Sequence, residues 1–270
     1  MKIKLLLFAA LTFLAIFITR TQALADSSAV IDATKADSGV VTVTYSGDFS
    51  KKIKVLIKCG DNKYAYDIVN TKPVSFPLQM GGGQYTISVL RNTSGDSYAP
   101  FASQTVNISA PDDKALYTQS IQNVDFSPDM SAIKGFAALT KNDADLKSKL
   151  NDVYNYIVSN VSYDNSKASA VTAGKLPGYI PDIDDTYKTD LGICYDYSSL
   201  FAAALRSMGI PAKLEKGYCS EISSYHAWNE VLLNGKWLKI DTTYDASAKR
   251  YNIKFSQVKD NANYTVVQQY

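Results

Sequence analysis

The sequence predicts an α+β protein: a small β-sandwich, then a mixed core in which one helix packs on an antiparallel sheet. Three observations carry this reading. Residues 26–111 alternate apolar and polar side chains in short runs between turn residues, the pattern of half-buried strands. After about Ser131 the apolar spacing becomes helical. Between Tyr225 and Thr243 two apolar runs flank Asn234-Gly235, the strongest short hairpin signal. The 270 residues are 46% apolar and 20% charged, which supplies a core and excludes a fibrous or disordered chain. Lys and Arg number 28 against 26 acids, a net +2, so no basic footprint points to nucleic acid. Three cysteines and one histidine exclude a disulfide scaffold and a multi-histidine metal centre. No metal and no cofactor are expected.

Residues 1–25 read as a secretory signal peptide. Lys2 and Lys4 give a positive start, Leu5 to Ile18 is apolar except for Thr12, and Ala23-Leu24-Ala25 is a small-x-small site that places cleavage after Ala25. The apolar run is shorter than the roughly 20 residues that span a bilayer. No later run reaches that length, so the mature chain is expected to carry no membrane span and to be secreted or held at the cell surface. Loss of Lys2, Lys4 and Arg20 takes the charge to −1.

Strands are expected at Val40 to Tyr45, Lys54 to Lys58, Tyr64 to Val69, Val74 to Leu78, Tyr85 to Leu90 and Gln104 to Ser109. Six or seven short strands at this spacing predict an immunoglobulin-like β-sandwich over residues 26–112, without the paired cysteines of a true immunoglobulin domain. Cys59 reads as an ordinary strand residue. No cluster in this domain could do chemistry, so it is a spacer or a binding module. Pro111-Asp112-Asp113 marks its end, residues 113–130 form a connector, and the second domain takes residues 131–270. There Leu146, Leu150, Val153, Tyr154 and Ile157 predict a helix over Asp145 to Asn160, with Asn142-Asp143 as caps. Ser162 to Asp190, rich in Gly, Pro, Asp and Tyr, reads as a long loop. Asp182, Asp184, Asp185 and Asp190 fail the EF-hand pattern, because the sixth position from Asp182 is Tyr187 rather than glycine. A solvated acidic loop is expected.

Gly192 to Asp245 is the informative stretch. Tyr197, Phe201, Ala204, Leu205 and Met208 share a helical face, and Gly209 with Pro211 stops that helix. Cys194 therefore sits at a helix N-terminus, where free N–H groups and the helix dipole favour a thiolate and can hold an oxyanion. A structural cysteine can occupy the same place. In the hairpin, a two-residue turn sets Leu233 opposite Lys236, Trp228 opposite Asp241 and His226 opposite Thr243. Alternation then brings His226, Trp228, Asp241 and Thr243 to one face, with His226 and Asp241 as diagonal neighbours. A satisfied histidine beside a surface aspartate would have the same spacing.

These segments together resemble the transglutaminase-like superfamily. The resemblance rests on Gly192-Ile193-Cys194 at a helix start, Gly209-Ile210-Pro211 at its exit, Gly217-Tyr218, His226-Ala227-Trp228 and Trp237-Leu238-Lys239-Ile240-Asp241. It covers Asp145 to Asp245 and implies a transglutaminase-like, papain-like core. It implies a triad in which Cys194 attacks an amide carbonyl to give a thioester. His226 would deprotonate the thiol and later protonate the leaving amine, and Asp241 would fix the imidazole tautomer. The Cys194 N–H would form half of an oxyanion hole. Tyr163, in Val161-Ser162-Tyr163-Asp164, is the matching second donor, ahead of Asn229. The implied activity is that of a secreted cysteine peptidase or amidase, or of a protein-glutamine acyltransferase. It would act on peptide or isopeptide bonds by hydrolysis or by transfer to an amine. The calcium sites of the family's animal cross-linking enzymes are not identifiable here, which favours hydrolysis. Expected partners are protein or peptide substrates, cell-surface or cell-wall peptides among them. The alternative is a non-catalytic cell-surface binding or scaffold protein. Cys219 is read as a buried spectator or as a disulfide partner of Cys194. Tyrosines 179, 187, 195, 197, 218, 225 and 244 belong to a peptide groove or to ordinary packing.

Overall fold

The computed structural model describes residues 22–25 and 28–270, with side chains from residue 28 onward. The signal-peptide reading falls outside the described residues except at Gln22–Ala25, which forms an edge strand, β1. Seven further strands follow: β2 (Ala29–Asp32), β3 (Val40–Tyr45), β4 (Ile53–Cys59), β5 (Asn62–Ile68), β6 (Val74–Pro77), β7 (Gly83–Ser94) and β8 (Ser97–Ile108). They form two antiparallel sheets, β1-β8-β7-β4-β5 and β2-β3-β6. Alternation explains the core. In β4, Ile53, Val55 and Ile57 are buried while Lys54 and Lys58 are not. Tyr45 of one sheet meets Phe101 of the other at 5.8 Å between ring centroids, and Tyr66 meets Phe76 at 4.7 Å. The two sheets therefore share a core. The strand at Ala29–Asp32 went unread because Asp32 and the turn beyond it cut the pattern short.

The chain then enters α1 (Asp113–Leu116), α2 (Ser131–Leu139), α3 (Leu146–Asn160), β9 (Ser162–Tyr163), α4 (Asn165–Thr172), α5 (Ile183–Thr189), β10 (Leu191–Gly192) and α6 (Cys194–Ser207). After it come β11 (Ala212–Cys219), β12 (Ile222–Leu233), β13 (Lys236–Ile240), α7 (Thr242–Arg250) and β14 (Tyr264–Gln269). A further antiparallel sheet has the order β13-β12-β11-β14. Helix α6 lies on β11 and β12, and every residue from Tyr195 to Arg206 in it is buried. The Arg206 guanidinium donates to the carbonyls of Ala212, Gln119 and Tyr270, which ties the exit of α6 to the end of the chain. Tyr270 in turn packs edge-on against Tyr64 and Tyr66 of β5.

Two expectations need correction. Ser162–Asp190 is not one loop: it holds α4 and α5, which begin where Asp164 accepts from Lys167 N and Asp182 accepts from the amides of Asp184 and Asp185. The Gly and Pro residues that suggested a loop lie between these two short helices. The cap of α3 is Asp145, accepting from Ser148 N, rather than Asn142-Asp143. The acidic cluster also has structural work. Both Asp184 carboxylate oxygens accept from the first amides of α2, at Ser131 and Ala132, and Asp185 pairs with Lys167. Among the described residues, no helix is long and apolar enough to cross a membrane.

Candidate active site

Cys194 opens α6. The first intrahelical bond runs from Tyr197 N to Ile193 O, so the amides of Cys194, Tyr195 and Asp196 have no acceptor within the helix. Asp196 reaches back to accept from Ile193 N at 2.8 Å. It also accepts from Tyr179 at 2.6 Å and from Lys167 at 3.4 Å, drawing α4 and the 174–179 segment toward the site. Burial raises the Asp196 carboxyl above its ordinary value against the pull of these partners. A Cβ at Gly192 would stand 2.7 Å from the Asp196 Cβ, so the position two residues before the cysteine has to be glycine.

His226 comes from β12. The β12–β13 hairpin has the expected register, Leu233 opposite Lys236 through Asn229 opposite Ile240. The turn is made by Asn234 and Gly235 at φ 51° and 76°, the left-handed pair of a type I′ turn. Pairing ends at Ile240 because the chain turns into α7. The expected opposition of His226 and Thr243 therefore fails, and Thr243 lies on the helix. Asp241 sits at this junction and does three jobs. Its Oδ1 caps α7 by accepting from Tyr244 N at 2.9 Å. Its Oδ2 meets His226 Nε2 at 2.8 Å and accepts from the Tyr264 hydroxyl at 3.1 Å. Asp241 is fully buried and His226 is 3% exposed.

With Nε2 committed to Asp241, Nδ1 is the ring nitrogen left for Cys194, which lines the same groove as His226. Burial works against the imidazolium, but Asp241 and Cys194 outweigh it and raise His226 to about 10. Tyr163 is brought to the cysteine by the parallel β9–β10 pair, which aligns it with Gly192. Burial first, then nearby Cys194, raises its phenol to about 12, so the hydroxyl stays a donor. Asn229 is elsewhere: fully buried, it donates to the carbonyls of Ser198 and Lys213 and locks α6 to the sheet. Cys59, Cys194 and Cys219 are all free. The Cys219 sulfur lies within 4.8 Å of ligand atoms of His226 and Asp241.

Cys194, His226, Tyr163 and Ser224 form the waist of a groove with two lobes. One lobe, of about 430 Å³, is walled by Tyr244, Ser247, Arg250 and Tyr251 of α7 and its exit. The other, of about 540 Å³, is walled by Ala168, Val171, Leu176, Tyr179, Tyr195 and Lys216. The larger hollow of about 760 Å³, between β4, β5 and Pro177-Gly178, contains no nucleophile. Of the seven tyrosines, Tyr179, Tyr195, Tyr197, Tyr225 and Tyr244 line the groove. Tyr187 packs on Phe136 and Tyr156, and Tyr218 packs on Tyr225.

Sequence reading missed the support behind His226. Trp228 lies 6.1 Å from the imidazole and 4.9 Å from Tyr264, ring to ring. Its indole N–H donates to Glu215 at 2.6 Å. Lys239 bridges Glu215 at 2.6 Å and Glu230 at 3.0 Å, and Lys213 closes the chain at 3.2 Å. Burial pushes Glu215 up against the pull of Lys239. For Glu230 burial also opposes the charge, but Lys239 and Lys213 win and hold it below its ordinary value. The outward-inward alternation of charged and apolar residues in β11 and β13 could have pointed to a buried ion network. Tyr264, from the distant last strand, left no sequence signal.

Residues 135–242 match the model of the transglutaminase-like superfamily, which makes this core a transglutaminase-like domain. Over 103 residues it is 29% identical to the UPF0252 protein MJ1282 of Methanocaldococcus jannaschii, a stretch that is 36% of this chain and 29% of that protein. Among solved structures it is similar to the periplasmic domain of TgpA from Pseudomonas aeruginosa, at 15% identity and a TM-score of 0.40 over 84% of this chain and 97% of that one. It is also similar to red sea bream transglutaminase, at 11% identity and a TM-score of 0.31 over 76% and 48% of the two chains.

Proposed function

We propose that this protein is an exported thiol enzyme that opens peptide or isopeptide amide bonds through a Cys194 thioester. The observation that carries this is the 2.8 Å bond from His226 to a fully buried Asp241, in a groove that also holds Cys194 at the start of α6. His226, having already taken the thiol proton on Nδ1, holds Cys194 as a thiolate, and Sγ bonds to the carbonyl carbon. The oxyanion is received by the Cys194 N–H and the Tyr163 hydroxyl. The C–N bond breaks as Nδ1–H gives its proton to the leaving amine. His226 then deprotonates water, which attacks the thioester, and the sulfur departs as thiolate. A primary amine in place of water would yield a new amide. Hydrolysis is the preferred reading, since the calcium sites of the family's animal cross-linking enzymes are not identifiable in the sequence.

The test is the alkylation rate of Cys194 by iodoacetamide at pH 6, resolved by peptide mass spectrometry. The expected rate exceeds that of His226→Ala by about tenfold or more. Equal rates in the two proteins would remove the base from the mechanism and favour a non-catalytic scaffold.

The N-terminal unit is read as an immunoglobulin-like spacer or binding module. The arrangement of β2-β3-β6 against β8-β7-β4-β5 supports this. The signal-like first 25 residues support export. Cleavage after Ala25 would remove β1 and free the edge of β8. N-terminal sequencing of the exported protein should begin at Asp26, and a start at Met1 would refute processing.

A further inference from the structure

The lobe beside α4 contains a charge the thioester mechanism does not use. On β11, Leu214 and Lys216 point to one side of the sheet, opposite Asn229 and Ala227. Asn229 bonds Ser198 O, so this is the side covered by α6. An apolar residue is the ordinary occupant of such a position, because burying an ammonium is costly. The Lys216 ammonium stands 3.3 Å from the Tyr195 ring centroid and 5.4 Å from that of Tyr270. It has no ion pair with a described carboxylate. Two tyrosine faces repay part of its desolvation, and burial still lowers it to about 8, leaving it protonated at neutral pH. The lobe is otherwise walled by Ala168, Val171, Leu176 and tyrosines, and no described Asp or Glu lines it. Its volume of about 540 Å³ suits a residue or two of a peptide.

We propose that Lys216 is the anion-binding group of this lobe, and that the preferred substrate carries a carboxylate close to the amide bond opened at Cys194. This deepens the catalytic reading and rests on it. The carboxylate is a free chain terminus or an acidic side chain. Either would find the Lys216 ammonium in a largely apolar lobe that no described Asp or Glu lines.

The experiment compares iodoacetate with iodoacetamide at Cys194, at pH 7, in the wild type, Lys216→Arg and Lys216→Met. The anionic reagent should lose about threefold to tenfold relative to the neutral one in Lys216→Met alone. The iodoacetamide rate is the reference within each protein, because the Lys216 charge also bears on Cys194, and Lys216→Arg should keep the wild-type ratio. A ratio equal in all three proteins overturns the anion site while leaving Cys194 catalysis intact. A Cys194 that iodoacetamide modifies no faster than in His226→Ala overturns the catalytic reading, and this proposal with it. Competitors then separate the two sources. Tri-alanine is tested against its C-terminal amide, and a doubly blocked Ala-Glu-Ala against Ala-Gln-Ala, for protection of Cys194. Protection by one acid and not by its neutral twin supports the site and names the source; equal protection within both pairs overturns it.

Discussion

Cys194→Ala should lose amide turnover by at least about 10⁴-fold while remaining folded. Water attacking the amide directly would have to replace a thioester route. Cys194 is half-buried at the first position of α6, outside the packed stretch from Tyr195 to Arg206. Its replacement should therefore change stability by only about 0.5 kcal/mol. Turnover is followed by release of an amine from casein-derived peptides and, in parallel, by incorporation of a fluorescent primary amine. Residual turnover within about tenfold of the wild type would sink the mechanism. The pH profile supplies the finer reading. His226 is raised to about 10, and the protonated ring is needed to release the amine, so the alkaline limb should fall through about pH 10. In Asp241→Asn an amide oxygen can still accept from Nε2–H, as in Cys-His-Asn sites, so turnover should drop only about tenfold to a hundredfold. Without the carboxylate charge, burial is left to act on the imidazolium, and the alkaline limb should move down by more than one pH unit.

Lys239→Met should destabilise the protein by roughly 3–5 kcal/mol, the usual cost of stranding one partner of a buried ion pair. Lys239 is 4% exposed and stands 2.6 Å from a Glu215 that is itself 2% exposed. Removing the cation leaves the Glu215 carboxylate beside the Trp228 indole alone. The double variant Glu215→Gln, Lys239→Met should recover most of the loss, because the Gln carbonyl still accepts from the indole and no buried charge remains. The sign of the pH effect follows from Glu215. Burial already raises its folded value above the ordinary one, and loss of Lys239 raises it further. The unfolded chain then gives up that proton more readily than the folded one. The deficit of Lys239→Met should accordingly grow as pH rises and shrink as pH falls. Urea unfolding at pH 5 and pH 8 measures it. A pH-independent deficit, or one below about 1 kcal/mol, would mean that water already reaches this network. Trp228 passes any loosening to His226, so thiol reactivity should weaken in the same variant.

The strands around Val40 to Tyr45 and the β12–β13 hairpin were legible because each is set by neighbours a few residues away: alternation in the first, the left-handed turn at Asn234-Gly235 in the second. The place of Cys194 was legible for the same reason, since Gly209 and Pro211 end α6 and its apolar face runs back to the cysteine. The pairing of His226 with Asp241 could be derived by counting from the turn. The ladder itself ended at Asn229–Ile240, so neither the expected opposition of Trp228 and Asp241 nor that of His226 and Thr243 formed: Asp241 leaves the sheet to cap α7 and Thr243 goes with the helix. Capping is a competition between local hydrogen bonds and the sheet ladder, and periodicity cannot decide it. The same competition hid α4 and α5 behind their Gly and Pro residues.

The sequence by itself placed the candidate chemistry: one histidine, a cysteine at a helix start, an aspartate at the end of the hairpin, and five short motifs that resemble the transglutaminase-like superfamily. Only the tertiary structure decided what surrounds that chemistry. It brought Tyr264, 23 residues beyond Asp241, onto the same carboxylate oxygen, placed a buried ion network under Trp228, and put Lys216 into the wall of the groove. The physical reason is that candidate residues on one hairpin and one helix end are placed by local geometry alone. The dielectric, charge and shape of the groove are sums over residues far apart in the chain, and those sums exist only once α6 lies on its sheet.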